Sequence, residues 1–583
     1  MSETENMLTT DPNMEVIQME KESAYTFRKR RHPAWTDNYT LYRGIVIPNR
    51  LTQRQSVHVP LMKYAVGSIM KEVDTPPEMY FKNLDNNEQK EVYYNAYWHE
   101  MALRNKLKIK DTVDKKQALL YGRTFKKLNI EDGEFTFEVI DPQDMLVHRF
   151  VDPSNLDTAK VVIQTNIYRT LSSLLENDDY SSEGKKKLKT YFESSIGILE
   201  QDDTLNKIEE KNQRLLDLGV EDALDPQLGE TYIELNEVYS LEFSADEDED
   251  IYFVYTVATA GGAIVELQKQ KLYEVIGPTE DNFWYNHLPY NSWGTDPERT
   301  DFWNDGPADV IRGTNQILNS WVSQLLENRT LRNYNMHYYD STNEQFVPQT
   351  FTPEPWGWYP MPGKPSDVMT TVQVADLSES LDEIEFFIGM AEKAVATTSA
   401  QSGSVENKAV TLGEVQISLA NAQERIKSIA LYYTEAWRDF GIKYIKMLEA
   451  NSGDLKPVTV TREGRLGKKM YTKEITPKMW LSKAGYHVEV LLADEKQESD
   501  LNNLQKLKIA LDSMPTNVPL KKEYDTSLLK FAGLGMEKIS QIMQFQDQNP
   551  MMLGAGDPNV GGEQAPAESA LPEVPISVGN QPQ

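Results

Sequence analysis

Apolar residues recur at three- and four-residue steps most clearly in the second half of the chain, where they predict three successive helices. In the first, over 306–335, the stripe is Val310, Thr314, Ile317, Trp321 and Leu325. Pro307 falls in its first turn, where a helix tolerates proline. In the second, over 376–396, Leu377, Leu381, Ile384, Ile388, Ala391 and Val395 form the stripe. Asp376, with Glu379 three residues on, matches a capping box with Asp as the cap. The third runs from Thr411 to Glu449, with Leu412, Val415, Leu419, Ala422, Ile426, Ile429, Tyr433, Trp437, Phe440, Tyr444 and Leu448 on one face. At 1.5 Å per residue it spans about 58 Å, far beyond an average helix, so it must cross more than one layer of the molecule. An aromatic, proline-punctuated segment (336–375) separates the first two helices, and a small polar loop (397–410) separates the second from the third.

The first half alternates between periods. The first 20 residues read as a loose arm, followed by a basic knot at Arg28, Lys29, Arg30, Arg31 and His32. Tyr39 to Val59 is strand-like (Tyr39, Leu41 and Tyr42, then Gly44-Ile45-Val46-Ile47-Pro48). Residues 86–110 predict a helix with apolar positions at Val92, Tyr93, Ala96, Tyr97, Met101, Leu103 and Leu107, in imperfect register. A second helix, Thr112 to Tyr121, ends at Gly122. Strands follow at 134–140 and 145–150, then an Asx-Pro turn at Val151-Asp152-Pro153-Ser154. Val161 to Ile167 alternates before a helix near 170–176, and 176–228 is charged and helical. Residues 231–277 return to strand, with an acidic turn at Asp246–Asp250 and a Gly261-Gly262 break. Beyond the long helix, 458–460, 469–475 and 485–492 read as strands, and 496–513 and 525–546 as helices. Strands interrupted by helices in this way predict an α+β fold. From 549 to 583 there is no Lys or Arg while Pro and Gly recur, which reads as a disordered tail.

Composition narrows the function. At 583 residues the chain can hold several cores, and its ten Trp and 29 Tyr argue for a folded protein. No window approaches 18 consecutive apolar residues, and the opening MSETENMLTT is polar and acidic, so neither a membrane span nor a secretory signal is expected. Zero cysteines exclude disulfides, thiolate metal sites and cysteine nucleophiles. That fits a reducing compartment, and equally a particle that must survive outside a cell. The net charge of −30 disfavours a tight grip on DNA, since duplex binding is dominated by Lys and Arg neutralising phosphates. Two readings remain: a soluble acidic protein kept monodisperse by self-repulsion, or one that DNA must pass without sticking.

Catalytic chemistry is hard to find. There is no G-x-x-x-x-G-K-[ST] loop and no H-E-x-x-H, and the seven His (32, 58, 99, 148, 287, 337, 487) lack metal-ligand spacing. The run Asp246-Glu247-Asp248-Glu249-Asp250 lacks the glycine of a calcium loop and reads as a solvated turn. No pair of carboxylates is singled out among 90 acidic residues. Catalytic residues, metal and cofactor are therefore all expected to be none.

The block His287-Leu288-Pro289-Tyr290-Asn291-Ser292-Trp293, then Asp296-Pro297, then Phe302-Trp303-Asn304-Asp305-Gly306-Pro307-Ala308-Asp309 has another character. In this order, and followed by an Asn-bearing helix (Asn315, Asn319, Asn328, Asn333), it resembles the portal proteins of tailed bacteriophages, the short-tailed type above all. The resemblance covers about 285–450 well and the flanks only in layout.

It implies a portal-like architecture. An N-terminal arm (1–38) and a wing (39–305, with strands at 451–493) would surround stem helices at 306–335 and 376–396. Gly306, Pro307, Ala308 and Asp309 would start the stem. Residues 336–375 would be the clip, with Phe346, Phe351, Trp356, Trp358 and Tyr359 docking neighbours and partners; the alternative is a hairpin packed on its own body. Residues 397–410 would be the tunnel loop, presenting Thr398, Gln401, Ser402, Glu406, Asn407 and Lys408 to the channel; the alternative is an ordinary connector. The helix at 411–450 would join stem to wing, and 494–548 would form a small helical crown before the tail.

The function so implied is non-enzymatic: a homo-oligomeric ring, a dodecamer in the family, at one capsid vertex, through which DNA enters and leaves. Twelve copies at −30 each carry −360, so duplex DNA would slide rather than bind, without sequence-specific contacts. The basic knot at 28–32 is then a solvated or inter-subunit patch rather than a DNA clamp. Partners implied are the terminase large subunit, scaffolding protein, major capsid protein and a tail adaptor; the location is the virion, after assembly in the host cytoplasm. The rival readings are another virion ring component, such as an adaptor or tail connector, and an acidic hydrolase.

Overall fold

The computed structural model describes residues 12–45, 57–72, 78–85, 87–195, 232–260, 263–299, 301–333, 337–339, 342, 364, 369–371, 380–394, 412–463, 470–491 and 504–509, with positions 521, 524, 525, 527 and 528. The chain divides into two units, 1–462 with 471–493, and 463–470 with 494–583. Within the second, 504–509 is helical, inside the stretch expected to be a helix at 496–513. The tail expected to be disordered lies outside the described residues.

The first unit opens with helices, where a loose arm and a strand are expected. These are α1 (Pro12–Lys29), α2 (His32–Arg43) and α3 (Leu61–Glu72). Tyr39, Leu41 and Tyr42 belong to α2 because local signals bracket them. Pro33 sits in the first turn and Gly44 closes the helix at φ +82°, while Trp35, Asn38 and Leu41 give a buried helical face. Next come β1 (Glu78–Asn83), α4 (Glu88–Arg104) and α5 (Leu107–Tyr121). The buried face of α4 is Tyr94, Tyr97, Trp98 and Met101, and Val92 and Leu103 are exposed, which explains the imperfect register.

A five-stranded antiparallel sheet follows the order β4-β5-β6-β7-β8. Its strands are β4 (Met145–Val147), β5 (Val161–Thr170), β6 (Tyr232–Ser244), β7 (Glu249–Ala260) and β8 (Ala263–Lys271). The register of β5 shifts between Gln164 and Ile167, where Asn166 takes a left-handed φ of 63°. Helices α6 (Leu171–Glu176) and α7 (Ser182–Ser195) pack on one side through Leu174 and Leu188, against Ile233, Leu235 and Leu267. On another face Met14 and Ile17 of α1 join Leu146, Val238, Tyr255 and Ile264. Residues 272–276, read as the end of a strand, form the short helix α8 (Leu272–Ile276).

A three-stranded sheet, β3-β2-β9, combines β2 (Arg123–Glu131), β3 (Glu134–Ile140) and β9 (Tyr290–Gly294). Then come α9 (Pro307–Asn333), the short pair β10 (His337–Tyr339) and β11 (Met369–Thr371), α10 (Ser380–Ala394) and the 39-residue α11 (Leu412–Ala450). The chain returns through β12 (Val458–Glu463), β13 (Met470–Ile475), the single turn α12 (Pro477–Trp480) and β14 (Tyr486–Leu491). Strand β14 pairs antiparallel with β1, from Glu78↔Leu491 to Asn83↔Tyr486.

The main core gathers around the C-terminal half of α11. Tyr433, Trp437, Phe440, Tyr444 and Leu448, all on the expected stripe, are fully buried. Tyr444 meets Phe135 edge-on at 4.6 Å and Trp98 at 4.9 Å, and Phe440 meets Phe137 at 5.2 Å. Gly441 lets β14 approach the helix: a Cβ there would stand 2.6 Å from Val488 Cγ1.

Candidate functional site

The segment Gly306–Asp309 opens α9 and meets three other parts of the fold. Gly306 N donates to Asp309 Oδ2 (2.9 Å) and Asp309 N to Gly306 O (2.9 Å), closing the first turn on itself. Arg31 Nη2 reaches the same Oδ2 at 2.9 Å, while Oδ1 accepts from Asn38 Nδ2 (3.0 Å) and Arg312 Nη1 (2.8 Å). Arg31 also pairs with Asp305 and donates to Asn304 O (3.2 Å). Ala308 is fully buried. The approach of α9 to α5 is too close for side chains: a Cβ on Gly306 would meet Leu119 O at 2.8 Å, and one on Gly122 (φ +83°) would meet Asn304 O at 2.1 Å.

For Arg28 and Arg31 this corrects the reading of the basic knot as a solvated or inter-subunit patch. Arg28 is buried and donates to Gln143 O and, at 3.3 Å, to Met145 O; burial lowers its pKa to about 10, so it stays charged near neutrality. Arg31 ties α2 to α9. Lys29 and Arg30 remain exposed.

The inward face of α9 is also not the expected one. Val310 is 57 % exposed and Ile317 42 %, whereas Ala308, Ile311, Asn315, Leu318, Asn319 and Ser323 are buried. Three polar side chains four residues apart grip the backbone of 57–62. Met62 N donates to Asn315 Oδ1 (2.8 Å), Val59 N to Asn319 Oδ1 (2.7 Å) and Val57 N to Ser323 Oγ (2.9 Å). Asn315 Nδ2 returns a bond to Val59 O (3.0 Å). Buried backbone groups must find partners. Here side chains of a helix supply them, so the polar row faces in and an apolar row faces out. The i, i+4, i+8 spacing of Asn315, Asn319 and Ser323 is the signal that marks this row in the sequence.

Helix α10 packs on α9 through Trp321 and Phe387, whose rings meet edge-on at 5.0 Å. Ile384 and Ile388 are half-buried and Ala391 is buried, as their stripe requires; Leu381 is exposed. Phe386 (63 % exposed) and Met390 share another face of α10 with no apolar cover among the described residues. Exposed Asp382, Glu383 and Glu385 add negative charge to the same helix. The pair β10·β11 brings His337–Tyr339 against Met369–Thr371, closing the base of the segment between α9 and α10. The aromatic residues Phe346, Phe351, Trp356, Trp358 and Tyr359 lie outside the described residues. So do the loop residues Thr398, Gln401, Ser402, Glu406, Asn407 and Lys408, and the expected cap Asp376 with Glu379.

Helix α11 is held at its C-terminal half by buried charges that sequence reasoning passed over. Lys126 Nζ and Asp114 Oδ2 pair at 2.9 Å with both side chains fully buried. Trp293 Nε1 (3.0 Å) and Thr124 Oγ1 (3.1 Å) donate to Asp114, and Lys126 stands 4.8 Å over the Trp437 ring. Asp111 pairs with Lys115 at 2.7 Å and accepts from the Tyr433 hydroxyl. Burial raises the Asp111 pKa despite the nearby ammonium, and holds Tyr433 well above the usual phenol range. Lys443 pairs with Asp157 (2.9 Å) and donates to Tyr290 O (2.7 Å). Arg123, fully buried, donates to Pro153 O (2.9 Å) and lies 3.9 Å over Phe302; burial lowers its pKa to about 9. Arg123 also donates to Ser292 Oγ and Asn304 Oδ1 (both 3.3 Å), and Asn291 Nδ2 donates to Ala436 O (2.9 Å), so the His287–Asp309 block is a seam joining β2, β9, α9 and α11.

The acidic turn is solvated, as expected: Asp246, Asp248, Glu249 and Asp250 are exposed, and Glu247 alone is half-buried. Glu247 accepts from the hydroxyls of Tyr273 (2.7 Å) and Tyr285 (3.0 Å), which lower its pKa. Among the described residues no group of three or more His, Cys, Asp or Glu is placed to hold a metal, and no helix is long and apolar enough to cross a membrane.

Residues 54–566 match the family model described as phage SU10 portal protein. No curated protein matches the chain.

Proposed function

The chain belongs to the phage SU10 portal protein family, and on that premise we propose that copies of it form a ring at one capsid vertex, twelve in number, with an axial channel for DNA. The family is structural rather than enzymatic and is a virion component. In this reading α9 and α10 are the two stem helices, the segment rooted at β10·β11 is the clip, 397–410 is the tunnel loop, and α11 joins stem to wing. The observation that carries it is the exposed apolar pair on each stem helix, Val310 with Ile317 and Phe386 with Met390, on faces left open by the chain's own core. Large exposed apolar side chains aligned on a helix mark a surface for another chain. Neighbouring copies, set side by side, would cover them.

The acidic residues of α10 support passage rather than binding. Asp382, Glu383 and Glu385 would offer duplex phosphates repulsion, which lets DNA slide when a separate ATP-hydrolysing terminase drives it. The clip aromatics would dock the terminase large subunit and later the tail adaptor, while scaffolding and major capsid proteins would contact the wing. Native mass determination with negative-stain imaging tests the reading. A species near twelve times 66.7 kDa with annular end views is expected; a monomer that forms no ring even with scaffolding protein would overturn it.

A further inference from the structure

The end of α1 and the turn that follows β4 meet in a ladder of alternating cations and rings. Arg149 stands between two phenyl rings, its guanidinium carbon 4.8 Å from the centre of Phe27 and 4.5 Å from that of Phe150. Arg30 lies 5.3 Å from the Phe27 centre. His148 braces both rings, edge-on to Phe27 at 5.3 Å and tilted against Phe150 at 5.1 Å. Ring contacts of this kind hold a guanidinium by its faces and leave its N–H edges for an acceptor. Among the described residues neither guanidinium has one: no carboxylate or carbonyl pairs with the side chain of Arg30 or Arg149, and Arg149 Nε is buried without a partner. Phe150 ends the ladder and is 70 % exposed.

Both sides of the ladder are anchored. Val151 N donates to His148 O (3.1 Å) and Phe302 N to Arg149 O (3.0 Å), which fixes the turn. The last turn of α1 is held by buried Arg28, whose guanidinium donates to Gln143 O and Met145 O. Groups already fixed lose little freedom when a ligand arrives. The place is also an exception to its setting. In a chain of net charge −30, two guanidiniums without acids gather around Phe27, beside an exposed ring. A carboxylate would satisfy the arginines and leave Phe150 bare. A nucleotide would satisfy both, since a phosphate takes a guanidinium edge and a base stacks on an aromatic ring.

We infer that Phe27, Arg30, Arg149 and Phe150 form a binding platform for an unpaired nucleotide of a nucleic-acid strand, with its phosphates on the two guanidiniums and its base on the exposed ring of Phe150. A base inside a duplex offers no free face to such a ring, so the ligand is a single strand or a frayed end, taken without preference for sequence. The inference does not use the ring reading. It also differs from passage of a duplex through a channel, which asks for repulsion rather than contact.

Fluorescence anisotropy of a short labelled oligothymidylate, titrated with the full-length protein at low salt, tests it. A dissociation constant of about 1–100 μM is expected. Phe150→Ala should weaken binding of the strand by about five- to 150-fold and leave binding of a duplex unchanged. Arg30→Glu should flatten the slope of log affinity against log salt by about 0.7, the share of one phosphate on a single strand. Both side chains are exposed, so the variants should fold as the wild type does by circular dichroism. Arg438→Glu, the same charge change at a half-exposed arginine of α11, should do neither. No binding of the strand in that range would overturn the inference, as would binding that Phe150→Ala leaves unchanged. Displacement of the strand by an acidic peptide of equal charge would assign the platform to an acidic protein surface and overturn it too. Loss of assembly by Phe150→Ala in native mass spectra, with no strand bound by the wild type, would make the platform a contact between copies instead.

Discussion

The C-terminal half of α11 and the pair α9–α10 solve opposite problems. Around α11 every large apolar side chain of the stripe from Tyr433 to Leu448 is buried within the chain, and even the charges beside it are matched in pairs. On α9 and α10 the chain buries one face and leaves Val310, Ile317, Phe386 and Met390 open. The first region is complete in a single copy and should behave as the rigid body of the subunit. In the proposed ring the second is half an interface. On that reading, burial completed alone and burial deferred to a partner are separated along the sequence, and each can be broken without the other.

The largest effect is expected at the buried pair. Asp114→Ala removes the partner of Lys126 and the acceptor of Trp293 Nε1 and Thr124 Oγ1, all in the interior. An uncompensated buried ammonium destabilises by about 3–5 kcal/mol, enough to approach the whole stability of a domain. Denaturant titration of the unassembled chain checks this, and a loss under about 1 kcal/mol would mean that Asn291 Oδ1, which accepts from Lys126 Nζ at 3.3 Å, suffices to hold the ammonium. A smaller loss follows from Asn319→Leu, which leaves Val59 N without its acceptor while keeping a side chain of similar size. Leaving one buried donor unpaired costs about 1–3 kcal/mol. The same denaturation curve reads it, and hydrogen exchange at Val59 should quicken first if the strap at 57–62 is what loosens.

How much of this was legible in the sequence follows the same divide. The stripe of α11 reads out because apolar residues at helical spacing bury for the reason their pattern states. The Asx-Pro turn at 151–154 also reads out, since Asp152 Oδ1 accepts from Ser154 N at 2.8 Å, a purely local bond. Strand β2 was passed over because Arg123, Lys126 and Lys127 occupy it, and nothing in a single sequence says that Asp114 waits to neutralise one of them. The inward face of α9 was misassigned for a related reason. Its polar residues turn inward only because a segment 253 positions earlier in the chain, at Met62, lays bare its backbone there. Long-range partners decide these cases, whereas periodicity carries only what a segment does with its own pattern. The clip aromatics and tunnel loop, expected from the family resemblance, fall outside the described residues and stand as proposals.

The smallest effect on folding, and the one that sharpens the contrast most, belongs to the outer faces of α9 and α10. Phe386→Ser and Ile317→Ser replace side chains that are 63 % and 42 % exposed and lie outside the core that Trp321 and Phe387 make between the two helices. Surface substitutions of this kind shift stability within about 0.5 kcal/mol, so each variant should unfold with nearly the wild-type midpoint. Assembly should respond differently. If neighbouring copies cover these positions, each substitution removes apolar area from an interface repeated around the ring. A loss of about 1–2 kcal/mol per contact then lowers each association step by roughly five- to thirtyfold. Native mass spectra at matched concentration would show rings giving way to monomer for the serine variants while Asp114→Ala, if it folds, still assembles. Rings that form normally from Phe386→Ser and Ile317→Ser would place the meeting surface of the copies elsewhere, and the open faces of α9 and α10 would then have to be explained by a partner other than a second copy.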